Sequence, residues 1–157
     1  MTIFIGDFTC KVDAKGRVML PAAFKKQMPP AAQDKYVIKK DIYEKCLVLY
    51  PMDEWERQNQ LIRQNINPYN KDHNRFLREF FKDTAEAELD ANNRFLIPMR
   101  LLNLVGIDKE TEVVLAGQLG KIEIWAKEQY DKTSEQIDDF GELANKILGG
   151  SLNKLTE

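Results

Sequence analysis

With 157 residues, 43% of them hydrophobic and 31% charged, the chain is long and apolar enough to bury a core as one ordinary domain or two very small ones, which excludes wholesale disorder. A formal net charge of −2 excludes the strongly basic balance that is the usual footprint of a nucleic-acid binder. Two cysteines (Cys10, Cys46) and one histidine (His73) provide no disulfide framework, redox pair or zinc-ligand spacing. No apolar run approaches the ~18 residues of a membrane span, and the first residues lack the basic start and long apolar stretch of a secretory leader. A reducing cytosol is the expected compartment.

In chain order, residues 7–13 alternate. Phe8, Cys10 and Val12 fall on one face and Thr9, Lys11 and Asp13 on the other, the pattern of a strand with one buried side. A tight turn follows at Asp13-Ala14-Lys15-Gly16-Arg17, where an aspartate can accept from nearby backbone N–H groups and a glycine can take positive φ. Val18-Met19-Leu20 reads as a short buried strand. Pro21 then precedes a helix-compatible stretch over 22–28, because a proline at a helix start gives up an N–H that would lack a partner. A hairpin pattern comes next: Tyr36-Val37-Ile38, a turn near 41–45, then Cys46 to Tyr50. Helices are predicted over 52–64 and 70–83, separated by Asn67-Pro68. The second of these sets Phe76, Leu77, Phe80 and Phe81 on one face, a stripe read as core or subunit contact. His73, beside Asp72 and Arg75, reads as a solvated surface histidine.

The chain then repeats itself. Val12 to Pro21 recurs as Leu89 to Pro98, with the Asp, Ala, Arg and Pro identical and four further positions apolar in both copies. Ala85, Ala87 and Leu89 alternate with Glu86, Glu88 and Asp90, and Asn93 takes the place of Gly16, as one of the few other residues that tolerate the left-handed region. A short helix over 99–104 and a second hairpin follow, 112–115 and 121–125 about a turn at 117–120. The offset between copies falls from 77 to 75, which places a length difference in the hairpin loop. The remainder, from Gln129, is acidic and broken by Gly149-Gly150; a helix and a frayed end are expected. Charge is unevenly spread: residues 1–40 hold eight cations against three anions, residues 127–157 four against seven. A basic working face and an acidic tail would produce that asymmetry.

Catalytic patterns are missing from the sequence: it has no Gly-rich phosphate loop, no His-containing metal motif and no nucleophile elbow, so no enzyme, no metal and no cofactor is expected. The repeated turn is the better candidate. Lys15 and Arg17 flank a glycine in a tight loop, and an arginine fork matches phosphate or the O6/N7 edge of guanine. Arg17 and Arg94 could instead form intraloop ion pairs with Asp13 and Asp90. The two roles are compatible if the aspartate orients an arginine that reaches outward.

The turn followed by Val18-Met19-Leu20-Pro21 resembles the swapped-hairpin fold of AbrB-type regulators. The duplication with intervening helices is similar to the MraZ family in particular, as are Asp41 to Pro51, Glu54-Trp55-Glu56 and Val114 to Gln118. The likeness runs from about Gly6 to Tyr130. It implies a mainly β fold with α-helices, a double-psi-like barrel made of two internal repeats: 7–54 and 83–126, with connecting helices over 55–82 and a C-terminal helix and tail over 127–157. It further implies a transcriptional regulator, expected to repress the division and cell-wall operon that includes its own gene. Its partners would be double-stranded DNA with short G-rich direct repeats and further copies of itself in a ring, at the nucleoid of the cytoplasm, with no membrane or small-molecule substrate. Carried over by position, Lys15, Arg17 and Arg94 are the expected DNA contacts, flanked by Lys11 and Asn92. The second turn departs from the family pattern at Asn92-Asn93, where glycine is often kept, and Asn92 lacks the charge of Lys15. The first turn should therefore contribute more. A ring-forming protein-interaction scaffold with no DNA role is the alternative; clustering of the named cations on one face would favour DNA, and their dispersal the scaffold.

Overall fold

Apolar alternation in both copies produces the same run of elements twice. The computed structural model, which describes residues 2–151 and 154, shows β1 (Asp7–Lys11), β2 (Arg17–Met19), α1 (Ala22–Lys26), β3 (Lys35–Lys40) and β4 (Leu47–Pro51) in the first copy. Two helices follow, α2 (Met52–Asn65) and α3 (Lys71–Phe81). The second copy then gives β5 (Thr84–Glu88), β6 (Arg94–Leu96), α4 (Met99–Leu104), β7 (Glu112–Gln118) and β8 (Lys121–Ala126).

Neither copy completes a sheet alone. The six-stranded antiparallel sheet runs β1-β7-β8-β4-β3-β5, and β2 pairs with β6 in a separate ribbon. Exchanging each strand for its repeat equivalent reverses that order onto itself. The first strand of each copy pairs with the third strand of the other: Phe8 lies opposite Leu115, and Ala85 opposite Ile38. The pseudo-twofold passes between β4 and β8, where Val48 faces Glu123, and between β2 and β6, where Val18 faces Phe95. This is the swapped-hairpin architecture of mainly β structure with helices that the resemblance implied.

The core lies along that axis. Val18, Phe24, Tyr36, Leu49, Phe95, Leu101, Leu115 and Ile124 are all fully buried, drawn from both copies alike. Phe24 meets Phe4 and Phe8 edge-on at 5.5 and 4.9 Å, geometry that aromatic quadrupoles favour. On α3 the aromatic stripe divides: Phe80 is buried and stacks on Trp55 at 6.1 Å, whereas Phe76 and Phe81 stay exposed.

Several local expectations need correction. His73 is half-buried, not simply solvated; its Nδ1 accepts from the Asn67 backbone N–H at 2.9 Å and ties the α2–α3 loop to α3. Gly117 lies inside β7, which continues to Gln118; the position is glycine because a side chain there would strike the Phe4 carbonyl running alongside. The hairpin length difference falls where expected: Lys40 pairs with Leu47 across residues 41–46, and the equivalent Gly117 with Ile122 across 118–121. α1 stops at Lys26, and the Gln33 side chain donates to Lys25 O in its last turn and to Met28 O just beyond it.

Residues from Glu128 form a unit of their own. In place of one helix there are two, α5 (Lys127–Lys132) and α6 (Phe140–Leu148), with a 3₁₀ turn at Thr133–Gln136 between them. Asp139 breaks the run by accepting from Glu142 N as the α6 cap. The expected frayed end falls mostly on residues 152, 153 and 155–157, outside the described residues. Among the described residues no helix is long and apolar enough to cross a membrane.

Candidate nucleic-acid interface

The two turns are built alike, atom for atom. Asp13 Oδ1 accepts from the backbone N–H of Lys15 (2.9 Å) and Arg17 (2.8 Å), and Oδ2 accepts from Arg17 Nε at 2.7 Å. Asp90 does the same with Asn92 N (2.8 Å), Arg94 N (2.9 Å) and Arg94 Nε (3.0 Å). The backbone closes each turn with matching bonds, Asp13 N to Arg17 O and Asp90 N to Arg94 O. Gly16 has φ +89° and Asn93 φ +60°, the left-handed geometry expected of both positions.

Each turn is also fastened to the other copy. Gly16 O accepts from Ile97 N, and Asn93 O accepts from Leu20 N, both at 2.9 Å. These crossed bonds, with the β2–β6 pairing, fix one turn relative to the other. In the ribbon Arg17 lies opposite Leu96 and Met19 opposite Arg94. Since successive side chains alternate, Arg17, Met19, Arg94 and Leu96 share the outer face, while Val18 and Phe95 point into the core. Arg17 and Arg94 are diagonal neighbours there, a relation that sets side chains ~7–8 Å apart.

Ion pairing does not use up either arginine. Each guanidinium engages its aspartate through Nε, and among the described residues the Nη groups make no hydrogen bond or ion pair. The arginine side chains are 29% and 28% exposed, and Met19 and Leu96 beside them are exposed. The aspartate orients the fork and leaves its outer edge available.

Electrostatics follow from the same bonds. The Arg17 backbone N–H above all, then the Arg17 side chain and the Lys15 N–H, hold the Asp13 carboxyl down at about 2; the equivalent set lowers Asp90. A carboxylate depressed on folding stabilises the turn above its unfolded pKa near 3.8, and that contribution fades as pH falls through about 2. An NMR titration of the side-chain carboxyl carbons should show the Asp13 midpoint near 2 and that of Asp90 below the ordinary range. Midpoints at ordinary aspartate values would contradict the caged turn.

The remaining candidates are distributed unequally. Lys15 and Asn92 are exposed at the turns. Lys11 lies off the ribbon, on edge strand β1 and directly across from Glu112. A residue that the spacing alone did not single out joins the second turn: Lys25 on α1 donates to Asn93 Oδ1 at 2.5 Å. Only the swapped pairing brings α1 to that turn. Asp41 and Cys46, both in the β3–β4 loop, and Glu123 on β8 bring a thiol and two carboxylates within 4.8 Å, a juxtaposition that linear spacing could not show. Burial, followed by the nearby carboxylates, pushes the Cys46 thiol up, so it keeps its proton and donates to Glu123 Oε2 at 3.9 Å. That bond ties the β3–β4 hairpin to β8, while the Asp41 carboxylate accepts within its own loop from Tyr43 N and Glu44 N.

A family model described as "MraZ protein, putative antitoxin-like" matches residues 3–79 and again 80–146. The chain belongs to the MraZ family. Among similar proteins, the Transcriptional regulator MraZ of Christiangramia forsetii is 43% identical over 152 residues, covering 95% of both chains. The proteins of the same name in Phocaeicola vulgatus and Bacteroides fragilis are 41% and 38% identical; the first covers 96% of both chains, the second 94% of this chain and 92% of its own. The double match of the MraZ model agrees with the structural duplication, its two halves meeting within α3. Among solved structures, the solution structure of PHS018 from Pyrococcus horikoshii matches with a TM-score of 0.32 at 15% identity, covering 79% of this chain and 89% of that one, too slight a likeness to bear on MraZ function.

Proposed function

We propose that the chain is a sequence-specific DNA-binding regulator that represses the division and cell-wall operon including its own gene. It binds short G-rich direct repeats as a ring-shaped homo-oligomer at the nucleoid. One observation carries this reading: Arg17 and Arg94 sit on the same face of the β2–β6 ribbon, each with Nε held by an aspartate and its Nη groups unengaged. A two-stranded ribbon fits the major groove, and an oriented guanidinium matches guanine O6/N7. The name shared by the relatives, transcriptional regulator, is consistent with that chemistry.

A net charge of −2 leaves little bulk attraction for DNA. A few local cations supply only weak nonspecific affinity, on the order of 10⁻⁴ to 10⁻⁶ M. Several subunits on one duplex turn later contacts into intramolecular ones, a gain of ~10² to 10⁴. Weak single contacts multiplied by assembly are the mechanism. Selection of bound fragments from random duplexes with the purified chain tests it. Enrichment of repeated guanine-rich elements is expected; an oligomer that enriches no sequence would contradict the reading and favour the scaffold.

A further inference from the structure

We infer that Lys25 is a contact to the DNA backbone that serves the second turn, replacing the charge that turn lacks at Asn92. The inference rests on the DNA-binding reading above and adds a residue to it. The pseudo-twofold makes the asymmetry visible. In the second copy the position equivalent to Lys25 is Leu102, fully buried, whose Cδ1 lies 3.7 Å from where a Gly16 side chain would begin. Each short helix thus packs over the other copy's turn, α4 with a leucine beneath Gly16 and α1 with a lysine on Asn93.

The exchange of Gly16 for Asn93 explains the difference. Glycine leaves room for an apolar neighbour and offers no side-chain acceptor. Asparagine keeps the left-handed φ and presents a carboxamide oxygen, which Lys25 Nζ meets at 2.5 Å. The backbone of Lys25 is fixed as well, since its N–H donates to Pro21 O and its carbonyl accepts from Gln33 Nε2. Among the described residues Asn93 is the only hydrogen-bond or ion-pair partner of this ammonium group, which leaves donors for a further acceptor. Asp90 nearby is already matched by Arg94. Beside the ammonium group is a depression of about 330 Å³, lined among others by Met19, Lys25, Lys26 and Asn93. Met19 is cross-strand from Arg94, so this depression borders the face that carries the arginines. A phosphodiester oxygen suits it: an anion beside a tethered ammonium and an exposed Lys26, at the edge of a strand whose bases Arg94 faces. Each turn then carries one arginine on the ribbon and one flanking lysine, Lys15 in cis for the first and Lys25 from the other copy for the second.

Salt titrations of the full chain on a defined mixed-sequence DNA duplex test the assignment. Lys25→Ala should lower the slope of log affinity against log salt by about 0.9 per bound subunit. Lys25→Arg should restore it. Asn93→Gly keeps the turn geometry and the charge, so it should weaken binding severalfold with the slope unchanged. If Lys25→Ala loses its fold by circular dichroism, Lys25→Gln carries the same expectation. A wild-type slope in the neutral variants, with Arg17→Ala still weakened on a selected guanine-rich duplex, overturns the role of Lys25 and leaves the DNA reading standing. No binding by the wild-type chain at any salt removes the reading and the inference together.

Discussion

Arg17→Ala is expected to weaken binding to a selected guanine-rich duplex about 100-fold or more while the chain stays folded and assembled. One bidentate arginine–guanine contact supports ~1–3 kcal/mol of discrimination, and the proposed ring, engaging several repeats, would lose one such contact in every bound subunit. Retention of the fold follows from how the turn is held. Two of the three groups on the Asp13 carboxylate are backbone N–H donors, of Lys15 and Arg17, which alanine at position 17 keeps. Backbone bonds close the turn, and Val18 next door is fully buried. The ion pair is partly solvent-exposed and contributes little beyond orientation. Circular dichroism and sizing beside a gel-shift assay separate the outcomes: loss of DNA with the fold intact supports the reading, and collapse of the fold would show that Arg17 is structural.

Mixed oligomers should show the second large effect. When wild-type and Arg17→Ala chains are refolded together in equal parts, affinity for a duplex carrying several repeats should drop far more than the halved number of competent sites. It should lose much of the ~10² to 10⁴ that multivalency supplies. The net charge of −2 makes this necessary, because a subunit that binds alone has little long-range attraction to hold it. Affinity that falls only in proportion to the wild-type fraction would show that subunits bind independently, and the assembly argument would be wrong.

Much of this architecture is legible in the residues because it is local. Alternation at Phe8, Cys10 and Val12, the Asp-to-Arg turns, Pro21 and Pro98 before short helices, and the Asn67-Pro68 break each follow from backbone preferences within a few positions. The duplication supplied the rest of the element order, down to the left-handed Asn93 in the place of Gly16. What the sequence hides is non-local. Strand exchange between copies brings α1 onto the second turn, so Lys25 had no linear mark as part of the site. Lys11 follows the strand pattern, but its pairing across from Glu112 depends on β7, a hundred residues onward. Gly117 looked like a turn residue by type; only the approach of Phe4 explains a glycine inside a strand. His73 carried no sign that its ring would accept from Asn67.

In the proposed complex the outward edge of the Arg17 guanidinium takes a guanine. Replacing single guanines of a selected duplex by 7-deazaguanine removes the N7 acceptor and leaves base pairing intact. At the guanine read by Arg17, the wild-type chain should lose about tenfold in affinity. The Arg17→Ala chain, measured at low salt where residual binding persists, should lose nothing at that base. An equal loss in both chains, or no sensitive guanine in any repeat, would show that Arg17 reads no guanine.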